Sequence, residues 1–212
     1  KYKKVKLPDN PPFVSALCLT RNRVNFLEKA IKQFINHTYP SKSRELVLMY
    51  DEDDDNTIMF INQNKDIFDL NNINSFICKK DISIGEKRNL STQNVKPYSD
   101  FSIIWDDDDI YHEERIELMT KAIISNPGKA IELRQVIIND EDRGALYLSP
   151  PQDDDGGIIY HYPGTTIINS NLLKNKYSTD RGKSFGEDTD ARDKYIDYII
   201  TINIPNLYKY RF

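Results

Sequence analysis

Apolar residues in the first half of the chain gather in short unbroken runs, separated by segments whose apolar residues recur at helical spacing. Residues 13–20 (FVSALCLT) form the first run, and after TRNR comes VNFLEKAIKQFINHT, with Val24, Leu27, Ala30, Ile31, Phe34 and Ile35 on one helical face. The spacing predicts a strand and then an amphipathic helix, capped by Asn22 or Asn25 and ended by Thr38, Tyr39 and Pro40. Residues 45–50 (ELVLMY) predict a second strand, residues 58–62 a short helical stretch and residues 75–78 a third strand. Gly85 opens a polar helix that runs through Asn94 and is closed by Pro97, and residues 101–105 (FSIIW) form a fourth strand that stops at aspartates.

Unbroken apolar strands alternating with helices predict an α/β fold whose parallel sheet is covered on both faces. In such sheets ligands bind beyond the carboxyl ends of the strands. Those ends carry TRNR, DEDDDNT and DDDD, so their polar sequences converge on one crevice. The second half is less regular. Residues 112–126 read as a helix, followed by strand-like pieces IELRQVII, GALYLS, GIIYHY and GTTIINS, a last helix over 187–198 and a strand IITINI. A basic, proline-containing arm over residues 1–12 and one domain over 13–212 is the expected division, with 13–109 and 110–212 as its halves.

Composition narrows the class. With 39% hydrophobic residues, 29% charged residues and no long apolar run, the chain is expected to be a soluble, cytoplasmic protein without an integral membrane segment. Its start at Lys1 leaves open that it is one domain of a longer protein. A net charge of −4 gives no sign of a nucleic-acid partner. Cys18 and Cys78 lie within apolar runs and read as small buried hydrophobes.

Chemistry concentrates in the acidic runs. Asp106, Asp107, Asp108 and Asp109 follow a buried strand directly, and their mutual repulsion calls for a cation unless the turn is solvated. Mg²⁺ and Mn²⁺ suit carboxylates two residues apart, such as Asp106 and Asp108. The segment DEDDDNT has calcium-loop spacing at Asp51, Asp53 and Asp55, but Asn56 and Asn62 stand where such a loop needs glycine and glutamate. Residues 153–157 (DDDGG) read as a mobile surface loop. His37 lies near a helix end, which favours a cation, and His112 begins a helix; both read as structural. His161, between Tyr160 and Tyr162, suits either strand packing or a sugar face. Sequons occur at Asn36 and Asn89.

Taken together, VSALCLTRNR, ELVLMYDEDDDNT, GEKRN ahead of a strand ending in WDDDD, and the later FGEDTD resemble the family 2 glycosyltransferases, over residues 13–196. The resemblance implies a GT-A fold, with a mainly parallel central sheet flanked by helices and a mixed acceptor-binding half. It also implies inverting transfer of one sugar from a UDP-sugar to a glycan, glycoconjugate or protein-linked acceptor, with Mn²⁺ or Mg²⁺ as cofactor. Thr20 and Arg23 would border the nucleotide, Asp51 would accept from the uracil imide, and Arg88 would face the diphosphate. Asp106 and Asp108 match the DxD pair, Asp108 as metal ligand and Asp106 nearer the ribose, with Asp107 between them in the nucleotide-sugar site. Asp188 matches the general base, with Glu187 and His161 toward the acceptor. The chain departs from the family in lacking Gly-Ser after Asp51, a QxxRW motif and any histidine after His161. Absence of QxxRW argues against processive synthesis. The rival readings are a sugar nucleotidyltransferase, disfavoured by a TRNRVN turn without glycine, and a non-catalytic carbohydrate-binding domain.

Overall fold

A computed structural model describes residues 2–149, 163–180 and 187–211. Strand β1 (Val14–Thr20), helix α1 (Val24–Ile35), β2 (Arg44–Asp51), α2 (Asp55–Gln63), α3 (Lys65–Leu70), β3 (Ile73–Cys78), α4 (Ile84–Gln93) and β4 (Phe101–Ile104) follow the expected rhythm. Then come β5 (Ile110–Tyr111), α5 (Arg115–Ile124), β6 (Ala130–Leu133), β7 (Ile137–Asp140), β8 (Ala145–Leu148), β9 (Thr166–Asn169), α6 (Ser170–Leu173), α7 (Glu187–Asp193), β10 (Ile199–Ile202) and β11 (Tyr208–Arg211).

The large sheet has the order β10-β6-β9-β4-β1-β2-β3. Its pairs are parallel except for β9, which runs antiparallel to both β4 and β6. A smaller sheet, β5-β11-β7-β8, stands beside it. The run read as one piece, IELRQVII, is divided between the two sheets: β6 joins the large one, and beyond Arg134 and Gln135 the chain enters β7 of the small one.

Both faces of the large sheet are covered, as unbroken apolar strands require. On one face Val14, Ala16 and Cys18 of β1, with Leu46 and Leu48 of β2, join Leu27, Phe34 and Met119 from α1 and α5 in one buried cluster. On the other Leu17, Val47, Ile104 and Ile168 meet Val95, Leu173, Tyr177 and Ala191. Helix α4 also lies against β1 and β2. Its buried residues are Gly85, Arg88, Asn89, Ser91 and Thr92, so it turns polar side chains inward where it approaches the strand ends. A capping box of Ser83 and Glu86 fixes its start.

Several expectations are revised. Neither Asn22 nor Asn25 caps α1: Arg23 holds the cap position without a side-chain bond, and Asn22 adopts φ +53° in the tight turn before it. The last helix ends at Asp193, and Ile196–Tyr198 is a separate 3-10 turn. The stretch read as an arm lies against α5, where Tyr2 is buried and Lys3 pairs with Glu114 at 2.8 Å. Residues 153–157 and all of GIIYHY, His161 included, fall outside the described residues.

Candidate active site

The carboxyl ends of β1, β2 and β4 meet at one edge of the large sheet, because these strands are parallel neighbours. They bring Thr20, Asp51 and the 106–109 turn together, and the start of α1 and one side of α4 add Arg23, Lys87 and Arg88.

The four aspartates alternate in environment. Asp107 and Asp109 are buried, whereas Asp106 and Asp108 are partly exposed. Asp107 accepts a hydrogen bond from Thr20 Oγ1 at 2.6 Å and has a charge contact with Arg23 Nη2 at 2.6 Å. Burial pushes its carboxyl up to about 6, against the pull of Thr20 and Arg23. Asp109 accepts from Tyr208 Oη at 2.6 Å. Below the turn Trp105, Tyr111 and Tyr208 pack together around the fully buried Arg115, whose guanidinium carbon lies 4.4 Å from the Tyr111 ring centroid. Arg115 donates to the carbonyls of Ile104 and Gly164, so the acidic turn rests on a fixed cationic and aromatic base.

The outward pair faces arginines. Asp106 Oδ1 accepts from Arg88 Nη2 at 2.8 Å, and Asp108 Oδ2 from Arg23 Nη1 at 2.7 Å. Burial opposes the charge on Arg23, but Asp107 and Asp108 outweigh it and hold the guanidinium more firmly protonated.

Asp51 is fully buried at the end of β2. Its Oδ1 accepts from Lys87 Nζ and, at 3.2 Å, from the Cys78 thiol. Arg21 Nε stands 3.1 Å from Oδ2 as a charge contact rather than an aligned hydrogen bond. Burial, reinforced by Asp51, pushes the Cys78 thiol up to about 12, so it is a neutral donor here and no nucleophile. Within the calcium-like segment, Asp54, which lies between the aspartates at ligand spacing, is the cap of α2. It accepts from Thr57 Oγ1 at 2.6 Å and from the Asn22 N–H at 2.6 Å, and these bonds overcome burial and lower its pKa.

The structure thus brings Thr20, Arg23, Asp51, Arg88, Asp106, Asp107 and Asp108 to the carboxyl ends of neighbouring strands. Asp188 and Glu187 begin α7, which runs beside α4. Sequence reasoning did not single out Arg21, Lys87, Arg115 or Tyr208, and it read Cys78 as a small buried hydrophobe without placing it beside Asp51. Lys87 had a signal, since it precedes Arg88 in GEKRN. The sequon residue Asn89 is buried and makes two hydrogen bonds with the Tyr177 backbone, at 3.0 and 3.1 Å, which leaves it no room for a glycan.

Divalent-cation chemistry fits the outward pair in ligand type. Asp106 and Asp108 supply hard oxygens two residues apart, on a turn whose other two carboxylates are engaged inward. Among the described residues no group of three or more His, Cys, Asp or Glu side chains converges as a metal centre. A cation held by this pair therefore takes its remaining ligands from elsewhere, as Mg²⁺ commonly does from phosphates and water.

No family model and no curated protein matches the sequence. Solved structures do match the fold. TarS 1-349 of S. aureus in complex with UDP superposes with a TM-score of 0.75 at 15% identity, over 94% of this chain and 60% of that one. Mannosyltransferase PcManGT from Pyrobaculum calidifontis, in complex with GDP-Man and Mn²⁺, gives 0.69 at 14% identity, over 99% of this chain and 61% of that one. The 4-diphosphocytidyl-2C-methyl-D-erythritol synthase of Anaerococcus prevotii gives 0.55 at 17% identity, over 91% and 87%. The chain spans about 60% of the TarS fragment and of the mannosyltransferase. With its seven-stranded, mostly parallel sheet and its acidic strand ends, the chain has the GT-A fold of these glycosyltransferases.

Proposed function

We propose that the protein is a divalent-cation-dependent glycosyltransferase that moves one sugar from a UDP-sugar to an acceptor hydroxyl with inversion. The observation that carries this reading is the connected set of ion pairs at the ends of β1, β2 and β4. Arg23 and Arg88 there face Asp107, Asp108 and Asp106 beside a buried Asp51. Such a set can bind a diphosphate through its cations and a base through Asp51. Asp51 Oδ2 is a buried acceptor without an aligned donor, which suits an imide N–H.

In the reaction the acceptor oxygen attacks the sugar C1 as its proton passes to the Asp188 carboxylate, and the bond from C1 to the phosphate oxygen breaks, releasing UDP. Arg88, anchored on Asp106, faces the departing diphosphate. A bound cation supplies charge stabilisation to that leaving group. Thr20 holds Asp107 in the floor of the site, and the acceptor is a glycan, glycoconjugate or protein-linked hydroxyl.

The nucleotidyltransferase reading shares the fold, since a diphosphocytidyl synthase superposes with a TM-score of 0.55. The turn after β1 speaks against it. That turn has no glycine, and the Asn22 N–H is already given to Asp54, so it does not cradle a triphosphate.

A thermal-shift panel of UDP-, GDP- and CDP-sugars and CTP with Mn²⁺ tests the proposal. UDP-sugars at 100 times their Kd should stabilise the protein by about 2.7 kcal/mol, in a chelator-sensitive way. Stabilisation by CTP with a sugar phosphate instead would favour the nucleotidyltransferase, and equal response to GDP would remove the assignment of Asp51.

A further inference from the structure

We propose that Arg23 is an exchangeable counter-ion, which neutralises Asp108 in the free protein and releases it to the divalent cation on moving to the donor's diphosphate. The inference rests on the glycosyltransferase reading and adds a coupling to it: cation and nucleotide load together, each weakly alone.

One guanidinium spans two carboxylates. Arg23 Nη1 lies 2.7 Å from Asp108 Oδ2 and Nη2 2.6 Å from Asp107 Oδ1. The two contacts differ in how freely they open. Asp107 is buried and also held by Thr20, whereas Arg23 and Asp108 expose 43% and 39% of their side chains. Ion pairs this open to water are held weakly. The second arginine pair is different, since the Arg88 side chain is 7% exposed and that of Asp106 21%, so Arg88 has little freedom to leave.

A hard cation and a guanidinium compete for the same oxygens of Asp108. A cation arriving alone must displace Arg23 and leave its charge beside the ion. A nucleoside diphosphate changes the balance, because its oxygens accept the planar fork in the bidentate manner that arginine prefers. Arg23 can then keep Asp107 or turn wholly to phosphate, while Asp108 becomes available to the ion. By linkage each ligand raises the affinity of the other by the same factor.

Opposite signs in one variant test this. Mn²⁺ binding to the whole chain is measured by electron paramagnetic resonance of the free ion, with and without UDP, and UDP binding by calorimetry without metal. Arg23→Gln should bind Mn²⁺ roughly 3- to 10-fold tighter than the parent when UDP is absent, and UDP roughly 10-fold more weakly. Arg23→Lys keeps the charge but not the fork, and should fall between the two. Equal or weaker Mn²⁺ affinity in Arg23→Gln, with UDP and Mn²⁺ binding intact in the parent, overturns the inference alone. A parent chain that binds neither UDP nor Mn²⁺ overturns the glycosyltransferase reading and the inference with it.

Discussion

The imidazole of His37 sits at the end of α1, where the helix dipole favours a positive charge, yet burial decides its state. The ring packs edge-on against Trp105 at 5.0 Å, and Nδ1–H donates to the Gln33 carbonyl at 2.9 Å. Nε2 is buried without a hydrogen-bond partner. Burial brings its pKa down to about 3; the Gln33 carbonyl pulls the other way, and the charges of Arg115 and Arg44 lower it further. The unfolded chain therefore takes up a proton below pH 6.5 that the folded chain refuses until near pH 3, so stability is lost as pH falls through that window. Between pH 7 and pH 5 this group alone should remove about 2 kcal/mol. Urea unfolding at both pH values should show that loss reduced by the same amount in His37→Asn. Parallel losses in parent and variant would mean that His37 takes up its proton in the fold. Sequence placed this histidine near a helix end, but not beneath Trp105, because the contact joins two elements far apart in the chain.

Helix α7 is held by a buried ion pair. Arg192 meets Glu132 of β6 through Nε at 3.1 and 3.2 Å and Nη2 at 3.1 Å, and Thr166 of β9 donates to the same carboxylate at 3.1 Å. Glu132 is fully buried, so removing Arg192 takes a close cation away from a buried charge. Arg192→Met should cost about 3 to 5 kcal/mol in chemical unfolding, and adding Glu132→Gln should restore much of it. A simple sum of the two single effects would show that the pair is not coupled. Elements of this half were the least legible. Unbroken apolar runs identified β1, β2 and β4, since strands buried on both faces need no alternation. The same criterion could not tell that IELRQVII serves two sheets, because its pairing partners, β9 and β10 for β6 and β8 and β11 for β7, come later in the chain. The two-residue β5 is too short to leave a pattern, and β11 (YKYR) has no unbroken apolar run. At the site, Asp51 and the 106–109 run stood out as acids at strand ends. The cationic partners of Asp51, Arg21 and Lys87, and Cys78 beside it, depend on how the turns fold over.

At the scale of the molecule, the parallel β1, β2 and β4 bring their carboxyl ends together, α4 lies against β1 and β2, and α7 touches α4. No helix among the described residues is long and apolar enough to cross a membrane. The division of labour proposed here puts donor binding on the strand ends and the base, Asp188, in the first turn of α7, so the two functions should separate by mutation. A purely structural role for Glu187 and Asp188 would be to complement the positive end of α7, worth only about 0.3 to 1 kcal/mol. Asp188→Asn keeps the side-chain shape and a hydrogen-bonding carbonyl but cannot take the acceptor's proton. Transfer should fall by roughly 10²- to 10⁴-fold in this variant, while UDP and Mn²⁺ affinities and the melting temperature stay close to those of the parent. Asp108→Ala should do the reverse, losing Mn²⁺ and donor affinity together. Near-normal transfer by folded Asp188→Asn would move the base to another residue and, with it, the acceptor to another part of the crevice.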